Sequence, residues 1–278
     1  MELSLGFSTC PNDTFIFDAM VHGRVDTEGL TFKVTLADVE SLNRKAFSHD
    51  IHITKLSYHA YARVAGEYAL LHAGSALGRG VGPLLIGRQK LSPAEINAGR
   101  VAIPGYYTTA HLLFSLFYPQ VKEKPEMLFS RIEEALLSGE ADAGVIIHEN
   151  RFTYARRGLV RIDDLGERWE AATGLPIPLG GIAVDRSLPL PVRQAVNRIM
   201  RRSVAYAFEN PEASAPFVKA HACEMDPDVM ASHIGLYVNA FTLDLGEEGV
   251  MAVSRLFGEA SRLGLIQALP ADGFLQET

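Results

Sequence analysis

His148 closes the apolar run Ala143-Gly144-Val145-Ile146-Ile147. That pattern puts an imidazole at the C-terminal end of a buried strand, the edge where open α/β sheets hold their ligands. Its ordinary pKa of about 6.5 lets an imidazole accept a proton at neutral pH with little tuning. General-base chemistry is one expectation, and a structural histidine hydrogen-bonded at a strand end is the other. Position alone does not separate them. The adjacent Glu149 suggests a zinc hydrolase, but the H-E-x-x-H pattern fails because Phe152 stands where the second histidine belongs. No metal site is expected.

Three strand-to-helix junctions hold other groups able to meet a ligand. At Thr108-Thr109-Ala110 a strand ends and an apolar helix begins. Free backbone N–H groups and the positive end of the helix dipole meet there, with threonine hydroxyls as further donors. Ordinary N-capping by threonine is the plainer reading, and the two are compatible. Lys55-Leu56-Ser57-Tyr58 forms the second junction. Ser57 either donates to a ligand oxygen or caps its own helix, and Lys55 either supplies charge or is simply solvated. The third is Thr9-Cys10-Pro11-Asn12-Asp13-Thr14, a helix start in which Cys10 is expected to be inert packing. Singly none is specific; together around one cleft they would make a site.

Other motifs are excluded by spacing. Gly74-Ser75-Ala76-Leu77-Gly78 has its serine one place too early for a hydrolase elbow. Gly78, Gly80 and Gly82 precede a strand rather than a helix, so a tight turn explains them better than a dinucleotide fingerprint. The remaining histidines, His233 among them, show no ligand spacing. Arg198, Arg201 and Arg202 read as the solvated face of one long helix.

The elements that must position these groups alternate along the chain. Strands are expected at 3–8, 30–36, 51–56, 68–72 and 82–87, with helices at 11–21, about 41–48 and from Tyr58. A second set follows: strands at 100–103, 127–129, 143–147 and 159–162, and helices at 109–117 and 131–138. Residues 180–184 read as a strand leading back, and the last third as mainly helical. Such alternation implies a mainly parallel sheet. Two sets imply two α/β lobes, a larger one of 1–95 with 184–278 and a smaller one of 96–183, joined by crossings near 88–97 and 180–188. This is a hinged, periplasmic-binding-protein-like (type II) fold with its ligand in the interlobe cleft.

Composition bounds the partners. The 278 residues are 47% hydrophobic with a net charge of −7, which suits globular cores and disfavours nucleic acid as a partner. Cys10 and Cys223 are the two cysteines, giving no disulfide framework. The N-terminus passes directly into a strand pattern without an export signal, so a cytoplasmic location is expected. Residues 101–119 lack charge, but Pro104-Gly105 and Thr108-Thr109 split them, so they read as core rather than a membrane span.

The segments STCPNDTFIFDAMVHG, DIHITKLSYHAY, SALGRGVGPLL, AIPGYYTTAHLL, ADAGVIIHENRFTY and GLPIPLGGIAV together resemble the 1,4-dihydroxy-6-naphthoate synthase family of the futalosine route to menaquinone. The resemblance extends to about residue 184. Thr9 departs from it, standing where the family often has proline. The resemblance implies a cofactor-free lyase that converts cyclic dehypoxanthine futalosine to 1,4-dihydroxy-6-naphthoate and dihydroxyacetone. It implies His148 as proton acceptor, and substrate contacts at Lys55, Leu56, Ser57, Thr109 and Ala110. The alternatives are chorismate dehydratase of the same pathway and a non-catalytic binding protein for a small carboxylate.

Overall fold

The computed structural model describes residues 1–148, 150–222, 226–270 and 272–276; Glu149 and Cys223, discussed above, lie outside them. Ten strands among these residues form two sheets. The first contains β1 (Glu2–Phe7), β2 (Thr31–Leu36), β3 (Ile53–Ser57), β4 (Tyr68–Leu70), β5 (Ala76–Gly78) and β10 (Ile177–Asp185). Its order is β2-β1-β3-β10-β4, with β5 also paired to β10. The second contains β6 (Leu84–Gly87), β7 (Val101–Ala102), β8 (Ala143–Ile146) and β9 (Val160–Asp164), in the order β7-β8-β6-β9.

Most strands in each sheet run the same way, as expected, but one strand in each runs against the rest. β1 is parallel to β2 and β3, and β7 is parallel to β8. However, β10 runs antiparallel to β3, β4 and β5, and β6 runs antiparallel to β8 and β9. The cause is connectivity. Each antiparallel strand is the first that its sheet receives from the other sheet, so it enters from the shared edge rather than by a helical crossover. Period and propensity do not encode that direction.

The crossings also fall elsewhere than expected. β6, expected in the larger lobe, already belongs to the second sheet, so the chain passes over between Gly78 and Leu84 rather than near 88–97. The return lies between Thr173, where a helix Leu165–Thr173 ends, and Ile177, ahead of 180–188. That helix lies outside the elements expected from the sequence, and Asp164 caps it by accepting from the N–H groups of Gly166 and Glu167. Gly82 and Gly166 touch at the first crossing, where a Cβ on Gly82 would meet the Gly166 backbone at 2.3 Å. The strand expected at 127–129 is instead an isolated bridge from Glu126 to Ile103 followed by a 3₁₀ turn at Phe129–Arg131.

Helices Pro11–Val21 and Thr109–Phe117 form as expected, the first with proline in its opening turn, where no N–H is needed. Residues Thr109 to Ser115 are buried, so most of the uncharged stretch is interior, with Tyr106 exposed in its loop. No described helix is long and apolar enough to cross a membrane. Arg198 and Arg202 reach Glu28, and Arg201 pairs with Asp244, so the arginine cluster is a surface ion-pair face.

Candidate active site

A cavity open to solvent lies between the two sheets, enclosing with its mouth about 660 Å³ and lined by residues that both sheets position. The carboxyl ends of β1, β3, β7 and β8 lead into its walls, at Ser8, Ser57, the Thr108–Ala110 segment and Ile147–His148 respectively. Because β10 is antiparallel, it contributes its N-terminal half, with Gly180 directly opposite Ser57. Gly180 must lack a side chain, since a Cβ there would sit 2.7 Å from the carbonyl oxygen of Leu56. The structure brings Lys55, Leu56, Ser57, Thr109, Ala110 and His148 together around this one cavity.

The first-sheet wall is built on Asp13, in the opening turn of helix Pro11–Val21. Its carboxylate accepts from Ser8 N (3.1 Å), Ser8 Oγ (2.7 Å) and Asn12 Nδ2 (2.9 Å), and pairs with Lys55 Nζ at 3.0 Å. Both charged groups are nearly sealed, Asp13 at 1% and Lys55 at 6% exposure. The reading of Lys55 as a solvated strand-edge lysine is therefore corrected: burial requires a counterion, and Asp13 supplies it. Ser57 does not cap its helix. Its N–H donates to Asn43 Oδ1 (3.0 Å) and its hydroxyl oxygen accepts from Asn43 Nδ2 (3.2 Å), leaving the hydroxyl hydrogen for another partner.

The second-sheet wall carries the helix N-terminus. Thr108 caps it, accepting from His111 N at 3.2 Å. The expectation that threonine hydroxyls add donors is corrected here. Thr108 Oγ1 donates to Gly105 O at 2.8 Å, and Thr109 Oγ1 donates to Leu179 O in β10. What remains for a ligand is backbone: the N–H groups of Thr109 and Ala110 precede Leu112, the first residue whose N–H finds an intrahelical acceptor, Thr108 O. Below this helix end, burial and the nearby His111 hold His59 down to about 4, so it is neutral at pH 7.

His148 sits just past β8 with φ +57°, in the left-handed region. Histidine tolerates that region better than most residues, at a cost of about 1–3 kcal/mol that surrounding contacts must sustain. Those contacts follow it directly. Arg151, whose N–H returns to His148 O at 3.3 Å, pairs with the sealed Asp164 at 3.0 Å and donates to Gly82 O. Asn150 Nδ2 donates to Glu133 Oε1 at 2.7 Å. The His148 ring lies against Phe129 and has its Nδ1 3.3 Å from Cys10 Sγ. Cys10 is thus part of the imidazole's setting rather than inert packing.

His233, whose spacing in the sequence offers no ligand pattern, lines the same cavity. It is fully buried in helix Pro227–Tyr237, its ring parallel to His148 with centroids 6.1 Å apart. Its Nε2 lies 2.9 Å from Asn12 Oδ1, while its Nδ1 has no hydrogen-bond partner. A buried acceptor left unpaired costs about 1–3 kcal/mol. Burial, then the charge of His148, pushes His233 down to about 3, so it is neutral. The available signal was the stripe Val229, Met230, His233, Tyr237, which keeps helical spacing and puts two polar rings on a buried face.

The chain is 50% identical over 273 residues to a 1,4-dihydroxy-6-naphtoate synthase of Thermus thermophilus, covering 98% of this chain and 99% of the relative. A protein of the same name from Streptomyces coelicolor is 45% identical over 97% of this chain and 96% of its own. A crystal structure of a protein from Archaeoglobus fulgidus, 37% identical, superposes with a TM-score of 0.90 over 95% of this chain and 98% of its own. A Candida albicans protein described as having the generic periplasmic binding protein fold matches at a TM-score of 0.66 and 11% identity, over 100% of this chain and 98% of its own. The fold is thus the two-lobed α/β arrangement of periplasmic binding proteins. With residues 3–262 matching the menaquinone biosynthesis family, this chain belongs to that family.

Proposed function

We propose that the protein is a 1,4-dihydroxy-6-naphthoate synthase, a cofactor-independent lyase of the cytoplasm. Its substrate would be cyclic dehypoxanthine futalosine, and its products 1,4-dihydroxy-6-naphthoate and dihydroxyacetone. The observation that carries this reading is the meeting of a histidine, His148, with an unspent helix N-terminus at Thr109 and Ala110 in one interlobe cavity.

The substrate carboxylate docks on the N–H groups of Thr109 and Ala110, where the helix dipole favours negative charge. Lys55 is already neutralised by Asp13, so it shapes the wall and holds the first-sheet network rather than acting as a free cation. Ser57 offers its hydroxyl hydrogen to a substrate oxygen. Closure of the lobes excludes water around the reacting bond. His148 takes the proton from a hydroxyl of the sugar-derived portion. The O–H electron pair becomes a carbonyl bond as the carbon–carbon bond breaks, and the released pair passes into the bicyclic portion, which becomes aromatic. The proton then returns from the imidazolium, so substrate and products balance.

Incubation of purified protein with cyclic dehypoxanthine futalosine, followed by chromatography, is expected to show both products without added metal or nucleotide cofactor. Dehydration of chorismate with the futalosine derivative untouched would reassign the protein to the sister step. Binding of the derivative without conversion would reduce it to a binding protein.

A further inference from the structure

The Asn12–His233 contact fixes which nitrogen of the buried imidazole bears its hydrogen. Asn12 Nδ2 donates to Asp13 Oδ1 at 2.9 Å, so the oxygen end of the amide faces His233. That oxygen only accepts, and Nε2 must therefore be the N–H nitrogen. Asp13 is itself held by Ser8 and Lys55, so an amide turned over would set its oxygen against a fixed carboxylate, acceptor against acceptor. The consequence is a buried lone pair on Nδ1 without a donor, on a ring that lines the cavity.

We propose that His233 is a second substrate-contacting histidine, whose Nδ1 accepts a hydrogen bond from a hydroxyl of the sugar-derived portion and holds it beside His148. The assignment rests on the synthase reading above. It divides the cavity by chemistry. The helix end at Thr109 and Ala110 offers only N–H donors and suits an anion. A neutral imidazole lone pair repels a carboxylate and requires a hydroxyl. His233 and His148 lie nearly parallel with centroids 6.1 Å apart, a spacing that two hydroxyls of one polyol can span. A buried group left unpaired by the wrong ligand is a strong source of discrimination. His233 thereby selects for a hydroxylated ring over an otherwise similar aromatic acid.

The test is a cycle between protein and ligand. Dissociation constants are measured by calorimetry in a His148→Asn background, to prevent turnover, for the futalosine derivative and for analogues each lacking one hydroxyl. With His233 intact, one analogue is expected to bind roughly tenfold or more weakly than the parent. In His233→Gln, whose terminal amide still donates to Asn12 but lacks the ring acceptor, that penalty is expected to shrink to about twofold or less. His233→Asn, with an amide oxygen near the position of Nδ1, is expected to keep most of it. If His233→Gln is too unstable to assay, His233→Phe replaces it. An unchanged penalty in the His233→Gln or His233→Phe variant overturns the assignment alone. Failure of the unsubstituted protein to bind or convert the futalosine derivative overturns the synthase reading, and this one with it.

Discussion

The two walls of the cleft differ in how much of their hydrogen-bonding capacity the protein itself consumes. On the first-sheet side, Asp13 receives Ser8 twice, Asn12 and Lys55, and Asn43 holds Ser57 from both its backbone and hydroxyl. On the second-sheet side, the helix end keeps the N–H groups of Thr109 and Ala110, and His148 sits in a left-handed turn maintained by Arg151. One wall is almost fully committed, with the Ser57 hydroxyl hydrogen left over; the other holds unspent N–H groups and stored strain. A buried ion pair is expensive to form and to break, so it suits a fixed reference surface. A general base and an anion site must instead meet their partners only when substrate arrives.

Three substitutions would break or sharpen this contrast. On the second-sheet wall, His148→Asn keeps a residue that tolerates positive φ while removing the base. It is expected to lower kcat by about 10²–10⁴-fold with substrate affinity little changed, read from steady-state kinetics beside calorimetry. Turnover near that of the unsubstituted protein would remove His148 from the chemistry.

On the first-sheet wall, Asp13→Asn leaves Lys55 buried without its counterion. Stability is expected to fall by about 3–5 kcal/mol, read from the urea midpoint. A loss under about 1 kcal/mol would show that this wall is not prewired as described. The smallest effect is expected from Thr108→Ala, which removes the cap on His111 N. A loss of about 1 kcal/mol in urea unfolding, with a raised KM, is the expected outcome. Unchanged stability would mean that the cap does not hold the helix end.

Much of the site was legible because strand-to-helix junctions announce themselves locally. Pro11 and the Thr108-Thr109 pair mark helix starts, and the apolar run before His148 marks a strand, so junction chemistry could be read before any contact was known. His233 and Asn43 were not legible. Helical spacing signals that His233 is buried, but what each residue does depends on a partner outside its own element, Asn12 for His233 and Ser57 for Asn43, which no local pattern names. The placement of β6 failed for the same reason. Its apolar residues fit either sheet, and only pairing with β8 and β9 decides which.

The sequence by itself determined the α/β alternation, the capped helix ends, the exclusion of an H-E-x-x-H zinc motif and the family resemblance, because these depend on residue type at short spacing. Only the tertiary structure decided that Lys55 is neutralised, that both threonine hydroxyls are already committed, and that Nδ1 of the cavity-lining His233 stands without a donor. Hydrogen-bond donors and acceptors are fixed in number by sequence. Which of them remain for a ligand depends on the neighbours that folding supplies.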